Sequence, residues 1–256
     1  MQIEGKTAAV VGGASGMARS AAEMLAAKGA NVAICDLETS DGAAVAAAIG
    51  SGATFHPIDV MKFDEVEGVL DGVVDAHGAI HISINTAGGG VARRTLGKDG
   101  PHPLDEFQFT IDLNLIGTFN VARLAAAHMA NNEPDDEADE RGVIINTASI
   151  AAFEGQIGQV AYTAAKAGIA GMTLTMARDL GSLGIRVNTV APSLFATGLT
   201  SGIPDEYAEQ LTKDAAFPKR MGRPDEYGRL AIAIVENPML NGGTIRLDAG
   251  QRFAPK

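Results

Sequence analysis

Cysteine is nearly absent from this 256-residue chain: Cys35 stands alone, which excludes an internal disulfide. It lies in an apolar run and reads as a packed thiol. Metal-ligand patterns are missing as well. The five histidines are scattered, and His77 and His81 flank Gly78 at an expected helix end, a poor geometry for a metal pair. Basic residues are outnumbered, 20 against 31 acidic ones, for a net charge of −11. That balance argues against nucleic acid or an anionic membrane surface as the main partner. Arg93, Arg94 and Lys98 still form a local basic cluster. No apolar run is long enough to span a bilayer. The first strand is expected near Thr7, which leaves no room ahead of it for a signal or transit peptide. A cytoplasmic location is therefore expected.

What the chain does have is a rhythm. Its hydrophobic content is 46% and it carries 31 glycines, too many for a bundle and suited to a fold with numerous tight turns. Thr7–Val11 is a short apolar run ending in Gly12-Gly13-Ala14-Ser15-Gly16. A helical pattern follows through Ala18, Ala21, Ala22, Leu25 and Ala26 and stops at Gly29. Strand, glycine turn and helix make the context that a dinucleotide fingerprint needs. Gly12 and Gly16 let the backbone approach a pyrophosphate, while the helix N-terminus offers N–H groups and a positive dipole end. The next strand, Asn31–Cys35, ends at Asp36, where an acid can bond an adenosine ribose and repel the 2′-phosphate of NADP. That points to NAD, the rival role for Asp36 being a cap on the following loop.

The alternation continues. A helix is expected over 41–49, a third strand over Thr54–Ile58 leading to Asp59-Val60, and a helix around Val66–Val74. A fourth strand, Ile80–Ile84, is closed by Asn85-Thr86-Ala87-Gly88, whose small residues would let a cofactor lie against the strand end. The polar stretch Gly89–Pro103 is too long for an ordinary connection and reads as an excursion or as one wall of a site. One long helix is expected from about Leu104 to Asn131, with Asn114 near its middle. Asn is mildly unfavourable inside a helix, so it has either a side-chain task or a solvated or interhelical place. Residues Asn132–Arg141 hold six carboxylates without the spacing or glycine turn of a hard-cation loop, and read as a solvated surface loop. Further strands are expected over Val143–Thr147, Ile185–Val190 and Gly243–Leu247. A last helix should begin at Pro224 and reach Val235. The loosely apolar region 194–218 would suit a substrate lid. With no repeat or linker, the expectation is one α/β domain over 1–256: a Rossmann-type, doubly wound parallel sheet of about seven strands with helices on both faces.

Asn146–Ala170 carries the chemistry. Tyr162 and Lys166 lie four apart and share one helix face. Ser149 stands where the fifth strand stops, at the edge where parallel α/β sheets bind ligands. Hydroxyl, phenol and ammonium can then converge on one oxygen. Tyrosine would act as acid or base, lysine would lower its pKa, and serine would hold the oxygen.

With these residues assembled, the chain resembles the short-chain dehydrogenase/reductase family from end to end, and within it the type-2 3-hydroxyacyl-CoA dehydrogenases (17β-hydroxysteroid dehydrogenase type 10). The likeness includes the Gly89–Pro103 insertion, NEPDDEADERGVIINTASIAAFEGQIGQVAY, PSLFATGL and ENPMLNGGTIRLD. It implies that Ser149 polarises the substrate oxygen, Tyr162 is the general acid/base, and Lys166 binds the nicotinamide ribose. Asn114 would hold a water in the proton relay. Ser15, Met17, Asp36, Asp59, Val60, Thr86, Phe195 and Thr197 would contact NAD, and Gln156 and Gln159 would lie beside the substrate. It further implies a homotetramer built on the two long helices, with an acyl-CoA as the small-molecule substrate. Val11, Ala18, Thr86 and Ser193 depart from the usual pattern; Val11 lacks the hydroxyl that fixes the turn near Asn85. Two alternatives stand beside this reading. One is the same chemistry on a carrier-protein ester, a steroid or a small alcohol; the other is a binding scaffold without catalysis.

Overall fold

Seven parallel strands form the central sheet of the computed structural model, which describes residues 1–134, 139–197 and 205–255, the side chains of 205–208 excepted. They are β1 (Thr7–Val11), β2 (Asn31–Asp36), β3 (Thr54–Pro57), β4 (Ile82–Asn85), β7 (Gly142–Thr147), β8 (Ile185–Pro192) and β9 (Thr244–Leu247). Their order is β3-β2-β1-β4-β7-β8-β9. The chain walks outward from β1 through β3 and then returns to the other side of β1 with β4. That reversal opens a crevice at the C-terminal ends of β1 and β4, where open α/β sheets take their ligands.

Both faces of the central strands are buried, so strands such as β1 are almost wholly apolar. Alternate residues serve opposite cores. Ala8 and Val10 join a cluster with Leu25, Ile34 and Tyr227, whereas Ala9 and Val11 join one with Leu70, Val73 and Val121. The first core is capped by α1 (Gly16–Ala27), α2 (Gly42–Ile49) and α8 (Pro224–Glu236), the second by α3 (Val66–His77), α5 (Gly117–Met129) and part of α6 (Val160–Gly181). A fully buried Leu or Ile contributes roughly 1.5–3 kcal/mol relative to exposure. The two-sided layer therefore makes the strand ends a rigid platform. The expected seven-stranded, doubly wound sheet is what the chain builds.

Three local expectations need correction. The Gly89–Pro103 stretch contains a short antiparallel hairpin, β5 (Leu96–Gly97) with β6 (Gly100–Pro101). The long helix is also not continuous: α4 (Leu104–Ile111) passes through a π-helical turn over Asp112–Ile116 before α5. The Asn114 amide explains that turn. It donates to the Thr110 carbonyl at 2.8 Å, competing with the backbone donor that an α-helix would place there. Finally, the carboxylates of the acidic loop are not all solvated. Glu140 is 5% exposed and accepts from Arg186 Nε at 2.9 Å. Within the expected lid, α7 (Asp205–Thr212) is helical, while 198–204 lie outside the described residues, as do 135–138 of the acidic loop.

Candidate active site

The β1–α1 turn forms one wall of the site. Gly12 and Gly16 have φ of +81° and +54°, conformations that residues with a Cβ rarely hold. A Cβ on Gly12 would also stand 2.4 Å from Thr86 Oγ1. Helix α1 starts beyond Ser15, whose side chain makes no capping bond, and its first turn contains no acid. Its positive end is thus left for an incoming anion.

That end opens into a cavity of about 510 Å³, within the size range of cofactor sites. Of the expected cofactor residues, Gly12, Ser15, Gly16, Met17, Asp36, Asp59, Val60, Thr86, Ala87 and Thr197 line it. Asn85 and Phe195 do not. Asn85 lies beneath, donating to Asn146 Oδ1 at 2.8 Å, and Phe195 is a core residue packed over Gly222. Val11, Ala18 and Gly88 line the cavity too, and Leu37, Ile58, Met61, Phe109 and Leu113 complete the lining without having been marked by the sequence. The spacing of Phe109 and Leu113 on one helix face was the available signal. Asp36 does two things at once: Oδ2 accepts from Ala14 N at 2.9 Å and Oδ1 from Leu37 N at 2.8 Å. Both the glycine turn and the following loop hang on it. The hydroxyl missing at Val11 is supplied from across the sheet, where Thr86 Oγ1 donates to the Val11 carbonyl at 3.0 Å.

Ser149, Tyr162 and Lys166 do not line this cavity but meet at its edge. Gly88 is on the wall, and a Cβ there would fall 3.2 Å from Lys166 Nζ and 2.5 Å from Asn114 Oδ1. A Cβ on Gly90 would be 3.5 Å from Tyr162 Cδ2. The glycines after β4 thus bring the cavity up to the catalytic cluster. Lys166 is 3% exposed; its Nζ donates to the Thr147 carbonyl at 2.9 Å and lies 5.6 Å from the centre of the Tyr162 ring. Burial pulls the ammonium down to about 8. Ser149 is extended at the head of a 3₁₀ turn, Ile150–Ala152, and its Oγ accepts from Ala151 N at 3.1 Å. Its hydrogen bond with Tyr162 favours the phenolate, but burial dominates and pushes the phenol above its ordinary range.

Asn114 is wholly buried and committed: its amide donates to Gly89 O at 2.6 Å and to Thr110 O, while Oδ1 accepts from Gly89 N at 3.1 Å. Gln156 and Gln159 sit on the connection between Ser149 and α6. The Gln156 N–H donates to Gln159 Oε1, and the Gln156 amide donates to Ala254 O.

The model of the short chain dehydrogenase family matches residues 6–208. The chain belongs to the short-chain dehydrogenases. Its dehydrogenase relatives include human 3-hydroxyacyl-CoA dehydrogenase type-2, 47% identical over 99% of this chain and 97% of that protein. The Drosophila melanogaster protein of the same name is 46% identical over 99% of this chain and all of its own length, 100%. A crystal structure of 3-hydroxyacyl-CoA dehydrogenase type-2 from Mycobacterium avium superposes with a TM-score of 0.95 at 43% identity, covering 100% of this chain and 99% of that one. As a short-chain dehydrogenase, the protein is an oxidoreductase that uses a nicotinamide nucleotide. The glycine-rich turn, the uncapped helix end and the acid at the end of β2 suit such a group. No helix among the described residues is long and apolar enough to cross a membrane.

Proposed function

We propose that this chain is an NAD-dependent dehydrogenase interconverting (S)-3-hydroxyacyl-CoA and 3-oxoacyl-CoA. The carrying observation is identity of 46–47% over nearly the whole chain to enzymes named for that substrate. NAD, when bound, accepts hydride from the carbinol carbon. The protein's own part is to hold the oxygen and move the proton. The Ser149 hydroxyl, its oxygen already bonded by Ala151 N–H, directs its proton at the substrate oxygen. Tyr162 takes the substrate proton and returns it in the reverse direction. Lys166 provides a buried cation beside that phenol and the handle for the nicotinamide ribose. Asn114, whose amide is anchored to Gly89 and Thr110, would hold a water of the proton relay, as the family likeness implies. Asp36, with a carboxylate at the cavity wall, favours NAD by repelling a 2′-phosphate.

Gln156 and Gln159 would border the acyl group, and 194–218 would fold over it as the lid of a single catalytic domain. Phe109, Ile116 and Phe119 are exposed along α4–α5, as is Leu174 on α6; such surfaces favour assembly, and we read the protein as a homotetramer. Cys35 is a free, buried thiol, in keeping with a reducing cytoplasm. Fatty-acid metabolism is the matching metabolic role. The test is NADH formation from a short 3-hydroxyacyl-CoA, with NADP and a carrier-protein ester in parallel arms. Turnover confined to NAD and the CoA ester is expected. Activity only with the carrier protein or NADP would overturn the assignment.

A further inference from the structure

We propose that Arg246, on the last strand, is a positioning residue for the reaction: it fastens the Ser149–Tyr162 segment to the C-terminal tail. The idea rests on the oxidoreductase reading but not on the identity of the substrate. Arg246 grips Glu154 with both terminal nitrogens, each at 2.8 Å. Its Nε donates to Asp248 Oδ2 at 2.7 Å and Nη2 to the Gln251 carbonyl at 3.1 Å. The guanidinium also lies over the Phe153 ring, 5.1 Å from its centre. Arg252 adds a second cation, 3.0 Å from Asp248 and 3.4 Å from Glu154.

Phe153 and Glu154 directly follow the 3₁₀ turn headed by Ser149. The next residues are tied to the same tail: Gln156 Nε2 donates to Ala254 O at 3.2 Å and Ile157 N to Pro255 O at 3.1 Å. On its other side the tail holds α7, through Gln251 Nε2 on the Leu211 carbonyl at 2.7 Å. The tail thus joins the segment that carries Ser149 to the helix in the expected lid. No residue of this network lines the cofactor cavity. A planar, bidentate fork suits the task because it sets orientation as well as distance. Its failure should therefore disturb substrate turnover and leave nucleotide binding alone.

The experiment compares wild type, Arg246→Met, Arg246→Lys and Glu154→Gln by hydrogen exchange, NADH fluorescence titration and steady-state kinetics. In Arg246→Met, amides of 150–159 should exchange at least about tenfold faster, those of 7–27 should not change, and the NADH Kd should stay within about twofold. Its kcat/KM for the ketone should fall about tenfold or more. Arg246→Lys should recover only part, since an ammonium cannot make the fork. Unchanged exchange at 150–159 would overturn the proposal. So would NADH affinity and 7–27 protection falling in step with activity, which marks general destabilisation. If Arg246→Met fails to fold, Glu154→Gln, which leaves the arginine in place, is read by the same criteria. Failure of the wild type to turn over any CoA ester would strike the substrate assignment alone, because exchange at 150–159 needs no substrate.

Discussion

The nucleotide cavity and the catalytic cluster adjoin, yet they are built from different material. The cavity is organised by backbone, with glycines at positive φ and an uncapped helix end, and its wall is completed by apolar side chains and the carboxylates of Asp36 and Asp59. The cluster is made of side chains held by distant partners, with Lys166 on a carbonyl of β7 and Ser149 on a segment tied to the C-terminal tail. A cofactor shared by many enzymes can be bound by shape and dipoles. Proton transfer needs particular groups at particular pKa values. The first kind of site should fail sterically, and the second chemically.

Tyr162→Phe separates the two most sharply. Turnover should drop by about 10²–10⁴-fold, the usual worth of a positioned acid/base, while the NADH Kd changes little. Near-normal turnover in this variant would sink the mechanism. Gly12→Ala is the converse. It forces a Cβ to within 2.4 Å of Thr86 Oγ1 at a φ of +81°, so NADH affinity should fall about tenfold or more, at a stability cost of about 1–3 kcal/mol. Unchanged affinity by fluorescence titration would show that the turn is less constrained than its geometry implies.

Smaller effects come from pH. Lys166 titrates at about 8 when folded against 10.5 otherwise, so between those values the unfolded chain holds more protons and stability rises with pH. Lys166→Met should abolish turnover yet raise stability at pH 7 by roughly 1–3 kcal/mol, the cost of its buried charge less its lost hydrogen bond. That gain should shrink between pH 8 and 10.5 in thermal melts. The cofactor half responds to acid instead. Thr54 Oγ1 sits 2.8 Å from His56 Nε2 and 2.7 Å from His77 Nε2, and burial holds both imidazoles below 6.5. Folding therefore disfavours their protonation, and stability should be lost as pH falls below 6.5. Thr54→Val should destabilise by about 1 kcal/mol at neutral pH. A melt without that loss would show that the shared hydroxyl contributes nothing.

Most of the sheet was legible because its signals are local. Runs such as Thr7–Val11 and Ile185–Val190 announce buried strands, and glycine turns separate them from helices of period 3.6. Tyr162 and Lys166 were legible for the same reason, since four residues on a helix define a face. The π turn at Asp112–Ile116 was not, because the Asn114 amide that turns back onto the Thr110 carbonyl is held in place by its second bond, to Gly89 across the fold. The hairpin in 96–101 was hidden by strands of only two residues, too short to show alternation.

The sequence by itself determined the order of strands and helices, the glycine turn that admits a nucleotide, and the helix face that carries phenol and ammonium. Each of these follows from residues within a few positions of one another. Only the tertiary structure decided which carbonyl restrains Lys166, that Thr86 supplies the hydroxyl absent at Val11, and that Arg246 reaches Glu154, 92 residues away. Such contacts pair a side chain with whatever group the folded sheet presents to it. Nothing in the neighbouring residues records the pairing, because the partner exists as a neighbour only after the strands have come together.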